Sequence, residues 1–590
     1  MRRLTVTLVA ALALALGAAA PAGAADPQYR DGPEGRSLLG GQWLHRDSET
    51  APWAPVTIPH AWNARDDSPA SMQGSVRFYR KDFRVPSRSP ALKWLVRFES
   101  VNLRAEVWLN GRLIGRHAGP FLPFELGLDG VRRGGVNRLV VRVDSRRRDT
   151  DFPPGSMTTD GVPRGGWWNA GGLLREVYLR PVRRVDLEEV TATTTASTVN
   201  VRARVRNHTR VARSVGVTGR FGDQRFRLGT VALPARGAAV VSRRLVVRRP
   251  RLWSPSSPYL YPVSVRAGTA RWSLRTGLRT VKVSNGRLYL NGRATRLRGV
   301  GYHEDTRERG MAITNRDRAW LMDEAQALGA TMMRTHYPPG QYLQELADRE
   351  GMLLWSEVPV YQMPGNVLDN PSVRASAVDL VQRNIDVNGS HPSILTWSIG
   401  NELGAQVSPG QGAYIAAAAR AAHRRDRTRP VSLATNGYAS ALCQKRYQPL
   451  DLLGFNEYYG WYPGPDGLMF DRDALSEFLD RARACYPRQA IMVSEFGAEA
   501  NRDGPAEEKG TFTFQRDFVN FHLGVMDSKP WLSGALYWAL NEFRVRPNWE
   551  GGNPRPSPPV HQKGLLTYDQ ARKPAWEDVR RAFGAAGLYP

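Results

Sequence analysis

Two carboxylates in the second half of the chain close apolar runs in a way that could do chemistry. Ser393-Ile394-Leu395-Thr396-Trp397-Ser398-Ile399-Gly400-Asn401-Glu402 follows the breaker pair His391-Pro392. It reads as a short buried strand ending on an amide and a carboxylate. Ala490-Ile491-Met492-Val493-Ser494-Glu495-Phe496-Gly497 repeats the form and closes on Glu495. In a parallel α/β barrel the C-terminal strand ends surround the mouth where chemistry is done. Two carboxyl groups there are the minimum set for cleaving a glycosidic bond, one protonating the leaving oxygen while the other attacks the sugar or activates water. Taken alone, Glu402 also reads as a cap on the following loop; the recurrence at Glu495 weakens that alternative.

Such a pair needs a barrel to hold it. After Asn285-Gly286 and Asn291-Gly292 strands and helices alternate. Strands are expected over 296–302, 331–336, 352–358, 393–402, 431–435, 451–458, 490–497 and 532–539. Helices are expected over 316–328, 342–350, 373–388, 413–425, 474–484, 512–526 and 576–583, with one weak helix between strands five and six. This is an eightfold (β/α)8 barrel over 281–590, with Glu402 ending strand four and Glu495 ending strand seven.

Upstream the chain is β throughout. Residues 29–181 carry short alternating segments such as Ala105-Glu106-Val107-Trp108-Leu109 before Asn110-Gly111, a hairpin signal, and read as a jelly-roll β-sandwich. Trp167-Trp168 beside Gly165-Gly166 is either core packing or a sugar-stacking surface, with packing favoured. Residues 182–280 suit a second, immunoglobulin-like sandwich, with nothing catalytic in view.

Composition bounds the rest. The chain has 590 residues, enough for several domains. A basic start, an apolar run from Leu4 to Ala20 and Ala22-Gly23-Ala24 make residues 1–24 a signal peptide, so the mature protein is expected to be secreted and free of the membrane. The formal charge of +27 is scattered through strands and helices and reads as arginine bias on solvated faces, with attraction to polyanions the alternative; nucleic acid is not an expected partner. Cys443 and Cys485 are the two cysteines, and export permits a disulfide without proving one. No cysteine–histidine spacing suggests zinc.

With these residues in hand the chain resembles glycoside hydrolase family 2, and within it the β-glucuronidase-like members. Val56-Thr57-Ile58-Pro59-His60-Ala61-Trp62-Asn63 and Gly171-Gly172-Leu173-Leu174-Arg175-Glu176-Val177 are similar to its sugar-binding domain. Arg298-Gly299-Val300-Gly301-Tyr302-His303-Glu304-Asp305 is similar to its entry strand, the Glu402 stretch to its acid/base signature and Ser494-Glu495-Phe496-Gly497-Ala498 to its nucleophile segment. The resemblance implies a retaining mechanism without cofactor, with Glu402 as acid/base and Glu495 as nucleophile. It implies that Asn401 donates to the sugar 2-hydroxyl, that Tyr458 orients the nucleophile, and that His303, His336 and Trp538 line the sugar pocket.

Departures bear on the substrate. Arg334-Thr335-His336 has one residue between arginine and histidine where the family usually has two. Gly166 aligns where relatives place an aspartate, with Asp160 close enough to substitute. In place of the asparagine-x-lysine pair that reads a uronate stands His561-Gln562-Lys563, so Lys563 is the candidate reader of the carboxylate. Tyr361 and Met363 align with metal ligands of the large β-galactosidases, so no metal is expected. The expected function is a secreted retaining exo-β-glycosidase acting on an oligosaccharide or glycoside, β-glucuronidase foremost. A β-galactosidase or another β-uronidase is the enzyme alternative, and an inert carbohydrate-binding protein the alternative of another class. Homo-oligomerisation is left open.

Overall fold

The computed structural model describes residues 35–155, 166–464, 467–549 and 551–589. The signal-peptide segment and Asp160 lie outside the described residues. Among them no helix is long and apolar enough to cross a membrane.

The first sandwich packs a four-stranded sheet on a six-stranded one. Strand Arg104–Leu109 turns at Asn110-Gly111, with φ of 52° and 86°, into Arg112–Ala118. Both residues are left-handed, as a two-residue hairpin requires. Alternate residues Ala105, Val107 and Leu109 point into the core with Trp43, Val96, Val141 and Val177. The second sandwich sets a three-stranded sheet against a four-stranded one around Val199, Val201, Val217 and Val265.

Eight parallel strands close the barrel. They are β1 Leu297–Gly301, β2 Met332–Thr335, β3 Leu353–Glu357, β4 Ile394–Asn401, β5 Val431–Asn436, β6 Leu452–Asn456, β7 Ala490–Phe496 and β8 Gly534–Tyr537. Closure runs through Leu297 opposite Gly534. The strands are buried on both faces, which is why they read as largely apolar segments without polar alternation. Leu297, Met332, Trp355, Leu395, Met492 and Leu536 belong to one packed cluster of barrel-strand side chains. Between β5 and β6 the chain forms two 3-10 turns, Ala439–Ala441 and Lys445–Tyr447, in place of the weak helix expected there. Cys443, at φ 57°, is bonded in this segment to Cys485 at the end of helix Leu475–Cys485, which settles the pairing left open by the sequence.

Among the contacts that tie the sandwiches to the barrel, two groups bear on the site. The buried Arg279, at the end of the second sandwich, donates to the carbonyls of Pro392 (2.6 Å) and Ile394 (2.7 Å), where β4 begins. Arg429 donates to Ile394 O from the other side. The strand carrying Asn401 is thus fixed at its base. At the mouth, Arg175 of the first sandwich pairs at 2.8 Å with Glu304, just past β1, and Arg318 pairs with the other oxygen at 2.8 Å. Burial pushes the Glu304 carboxyl up, but Arg318 and Arg175 overcome this and hold it down at about 2. Next to this triad, Trp167 bridges to Val545, and Phe121 stacks on Tyr337 with ring centres 4.0 Å apart.

Candidate active site

β4 ends at Asn401, and Glu402 follows in the left-handed region at φ 46°. A non-glycine residue held there costs of order 1–3 kcal/mol and persists only when its surroundings demand it. Here the turn presents the carboxylate to two amides. Asn456, the last residue of β6, donates to Oε1 at 3.0 Å, and Gln362, itself at φ 46°, donates to Oε2 at 2.9 Å. No cation is paired with it among the described residues. Burial and then the nearby charge of Glu495 raise the Glu402 pKa above its ordinary value, against the two amide donors. A carboxyl so placed is suited to carrying a proton.

Glu495, on β7, is held in the opposite way. Arg334 Nη1 donates to Oε1 at 2.7 Å and Tyr458 Oη donates to Oε2 at 2.7 Å. Both contacts hold the carboxylate in place and aim it. Arg334 has no solvent exposure and binds Glu357 through Nε and Nη2, while Nη2 also donates to Asn401 Oδ1 at 2.7 Å. Burial opposes the charge on Arg334, but Glu357 and Glu495 win and its pKa is raised. Glu357 in turn accepts from Ser398, Trp355 and His336. Although buried, it is kept below the ordinary carboxylate range by Arg334. Asn456 also donates to Asn401 Oδ1 at 3.0 Å, so that oxygen is doubly engaged and the Asn401 NH2 group is the end left for a ligand.

These groups face a cavity of about 550 Å³ lined also by Trp167, His303, His336, Tyr361, Tyr438, Tyr462, Trp538, Trp549 and His561. His303 is kept neutral by burial, with His336 and Arg334 adding to the effect, and its Nδ1 is engaged by Tyr337 Oη at 3.1 Å. Its other ring nitrogen is therefore the one available to a sugar hydroxyl. His336 lies with Nε2 3.8 Å from Glu495. Trp167 both packs and lines: it stacks on His336, ring centres 5.5 Å apart, and forms one wall of the cavity. Gly166 lines the cavity too, and a Cβ there would meet Tyr361 Oη at 2.7 Å. Tyr361 is a lining residue and Met363 is buried.

Seven of the eight residues singled out from the sequence thus converge here: Glu402, Glu495, Asn401, Tyr458, His303, His336 and Trp538. Lys563 sits one layer back. It is fully buried; Nζ donates to Tyr462 Oη at 2.5 Å and lies 4.0 Å from Glu499. Burial lowers the Lys563 pKa against the opposing pull of Glu499, whose own pKa is raised by burial. Trp549 Nε1 donates to the same Glu499 oxygen at 3.1 Å. Sequence reasoning gave no role to Arg334, Glu357, Asn456 or Gln362. Arg334 and Glu357 carried a signal in hindsight, charged residues inside apolar strands that cannot stay buried unpaired.

Family models match the whole architecture. The model described as the sugar binding domain of glycosyl hydrolases family 2 matches residues 37–182, the family's middle domain matches 184–279, and its TIM barrel domain matches 281–585. The chain belongs to glycosyl hydrolase family 2. It is an O-glycosyl hydrolase. A β-glucuronidase of Paenibacillus borealis is 27% identical over 602 aligned positions, covering 96% of each chain. The human β-glucuronidase is 24% identical, with 90% of this chain and 86% of that one aligned. Among solved structures, a β-galacturonidase from Eisenbergiella tayi bound to galacturonate superposes with a TM-score of 0.84 at 23% identity, covering 95% of this chain and 99% of that one. A Bifidobacterium dentium β-glucuronidase complexed with coumarin-3-O-glucuronide gives 0.80 at 24%, covering 94% and 98%.

Proposed function

We propose that the protein is an exported, retaining exo-β-glycosidase whose substrate is a β-glucuronide. The observation that carries the reading is the contrast between the two glutamates. Glu495 is clasped by a cation and a phenol and serves as the nucleophile; Glu402 is held by neutral amides beside another carboxylate and serves as acid, then base. In the first step Glu495 attacks the anomeric carbon while Glu402 gives its proton to the departing oxygen. In the second, Glu402 takes a proton from water, which attacks that carbon and frees Glu495. Asn401 offers its NH2 group to the 2-hydroxyl, a contact that strengthens in the transition state.

Selectivity for a uronide acts through Tyr462. Lys563 donates to the tyrosine oxygen, which turns the Tyr462 hydroxyl hydrogen outward as a polarised donor to a sugar carboxylate. Lys563 thereby reads the charge at one remove, and Glu499 keeps it soluble in the interior. Export rests on residues 1–24, and the Cys443–Cys485 bond suits an oxidising compartment.

The test is a panel of nitrophenyl β-glycosides (glucuronide, galacturonide, galactoside, glucoside), with NMR on the first-formed sugar. Preference for the glucuronide and release of the β-anomer support the reading. Preference for a neutral hexoside overturns the uronide assignment, and release of the α-anomer overturns retention.

A further inference from the structure

The middle sandwich holds a disproportionate share of the chain's charge. Residues 184–279 contain 19 arginines, no lysine and four acids, a net of +15 out of +27. Arginine occurs in strands and helices throughout the chain, and the fold sets several from this domain side by side. The two sheets of this domain treat arginine differently. On the three-stranded sheet Arg202 pairs with Glu189, and Arg204 and Arg206 pair with Glu188, while the exposed Arg243 and Arg244 make no ion pair among the described residues. On the four-stranded sheet only Arg220 has such a partner among the described residues.

That sheet comprises Gln224–Leu233, Arg213–Phe221, Tyr261–Ala267 and Ala270–Thr276, in this order. Its register sets Arg227, Thr218, Arg266 and Arg271 in one row across all four strands. A second row holds Arg225, Arg220, Ser264 and Ser273, and Arg275 continues the last strand. Strand alternation turns the intervening Val217, Phe221, Val263, Val265 and Leu274 into the core, so all six arginines share the outer face, and all six are exposed. Asp223, in a turn and paired with Arg220, is the only acid on or between the paired strands. The other five arginines make no ion pair among the described residues. Six like charges on one rigid face repel one another unless an anion is shared between them.

We propose that this face is a docking surface for an acidic polysaccharide. Neighbouring strands place the guanidiniums roughly 5–10 Å apart. A polymer bearing regular carboxylates or sulfates can engage several at once, and arginine binds such groups with a two-pronged fork. Thr218, Ser264 and Ser273, interleaved with them, offer hydroxyls to sugar oxygens. The choice of an acidic glycan among polyanions rests on the uronide reading of the active site; the face itself does not.

The experiment uses full-length protein carrying Glu495→Gln, so that binding is read without turnover, against polygalacturonate, heparin and single-stranded DNA of matched charge at about 50 mM salt. Arg227→Ser/Arg266→Ser/Arg271→Ser, which removes the charge of one row, is expected to weaken binding to an acidic glycan about tenfold or more and to flatten its salt dependence. The same triple in the active background should hydrolyse a nitrophenyl glycoside like the parent with an unchanged Tm. A control, Arg316→Ser/Arg420→Ser/Arg488→Ser, removes three exposed barrel arginines and should leave glycan binding intact. Equal weakening by the two triples, no weakening by the first, or tighter binding to DNA than to either glycan would each overturn the proposal. Failure of the nitrophenyl panel would strike the uronide reading and leave this binding result standing.

Discussion

Arg334 reaches Glu495 at 2.7 Å from a position with no solvent exposure, and the same guanidinium grips Asn401 and Glu357. One side chain therefore sets the aim of Glu495, of the Asn401 amide beside Glu402 and of Glu357 behind both. Arg334→Lys keeps the charge but cannot keep this fork. Its kcat on a nitrophenyl glycoside is expected to fall at least 100-fold, on the order of 3 kcal/mol. Steady-state kinetics on folded variant protein check it, and a loss under threefold would remove Arg334 from the positioning scheme.

Glu495→Ala removes the nucleophile, and turnover should drop by several orders of magnitude. Added azide can occupy the vacated space and attack from the same side, giving a glycosyl azide of inverted configuration. The product is identified by NMR. Near-parental turnover, or rescue with retained configuration, would contradict the assignment.

Glu402 must be protonated to act as acid, so kcat/KM should decline as pH rises through its pKa, which lies above the ordinary carboxylate value. The Gln362 amide stabilises the ionised form. Gln362→Leu should thus raise that pKa and carry the alkaline limb to higher pH. A pH profile of kcat/KM decides the matter, and a shift to lower pH would refute this role for Gln362.

For the uronide reading the informative pair is Tyr462 and Lys563. Tyr462→Phe should lower kcat/KM on a β-glucuronide about 10–100-fold, the worth of a hydrogen bond to a charge, and change a neutral β-galactoside little. Lys563 is pushed down to about 8 by burial, against Glu499. Its positive charge is present below that pH and lost above it, so KM for the glucuronide should climb as pH rises through about 8 while KM for the galactoside stays flat. Parallel changes in both substrates would count against the relay.

The Arg175–Glu304–Arg318 triad ties stability to pH. Glu304 is held at about 2, below its unfolded value, so its contribution is full above the unfolded pKa and lost as pH falls toward 2. The shift corresponds to about 3 kcal/mol. Glu304→Gln leaves two buried cations short of their partner and should cost about 3–5 kcal/mol. Thermal unfolding at pH 7 and pH 3 should show the variant nearer the parent at the lower pH.

Much of this was legible in the sequence because barrel strands declare themselves as mostly apolar segments, and Glu402 and Glu495 stand where two of them stop. The fold followed from that alternation, down to strands that begin and end within a few residues of expectation. Less legible was anything decided by partners distant along the chain. Lys563 read as a direct contact to a sugar carboxylate because nothing local reveals Glu499, sixty-four positions earlier, or the Tyr462 hydroxyl above it. The helix expected after β5 gave way to 3-10 turns where Cys443 is tied to Cys485, a constraint that no periodicity carries. Trp167 was weighed as packing against sugar contact; it packs on His336 and also forms part of the cavity wall.

Trp167 comes from the first sandwich and yet walls a cavity whose Glu402 and Glu495 come from the barrel. The barrel is therefore not a portable enzyme: cut out on its own, it would keep both glutamates and lose a side of the vessel that holds the sugar. Descent can act on the two parts at different speeds. Changes in the sandwich loop can reshape one wall of the cavity while the barrel residues stay fixed, so the shape of this pocket is inherited in part through a domain that supplies neither glutamate.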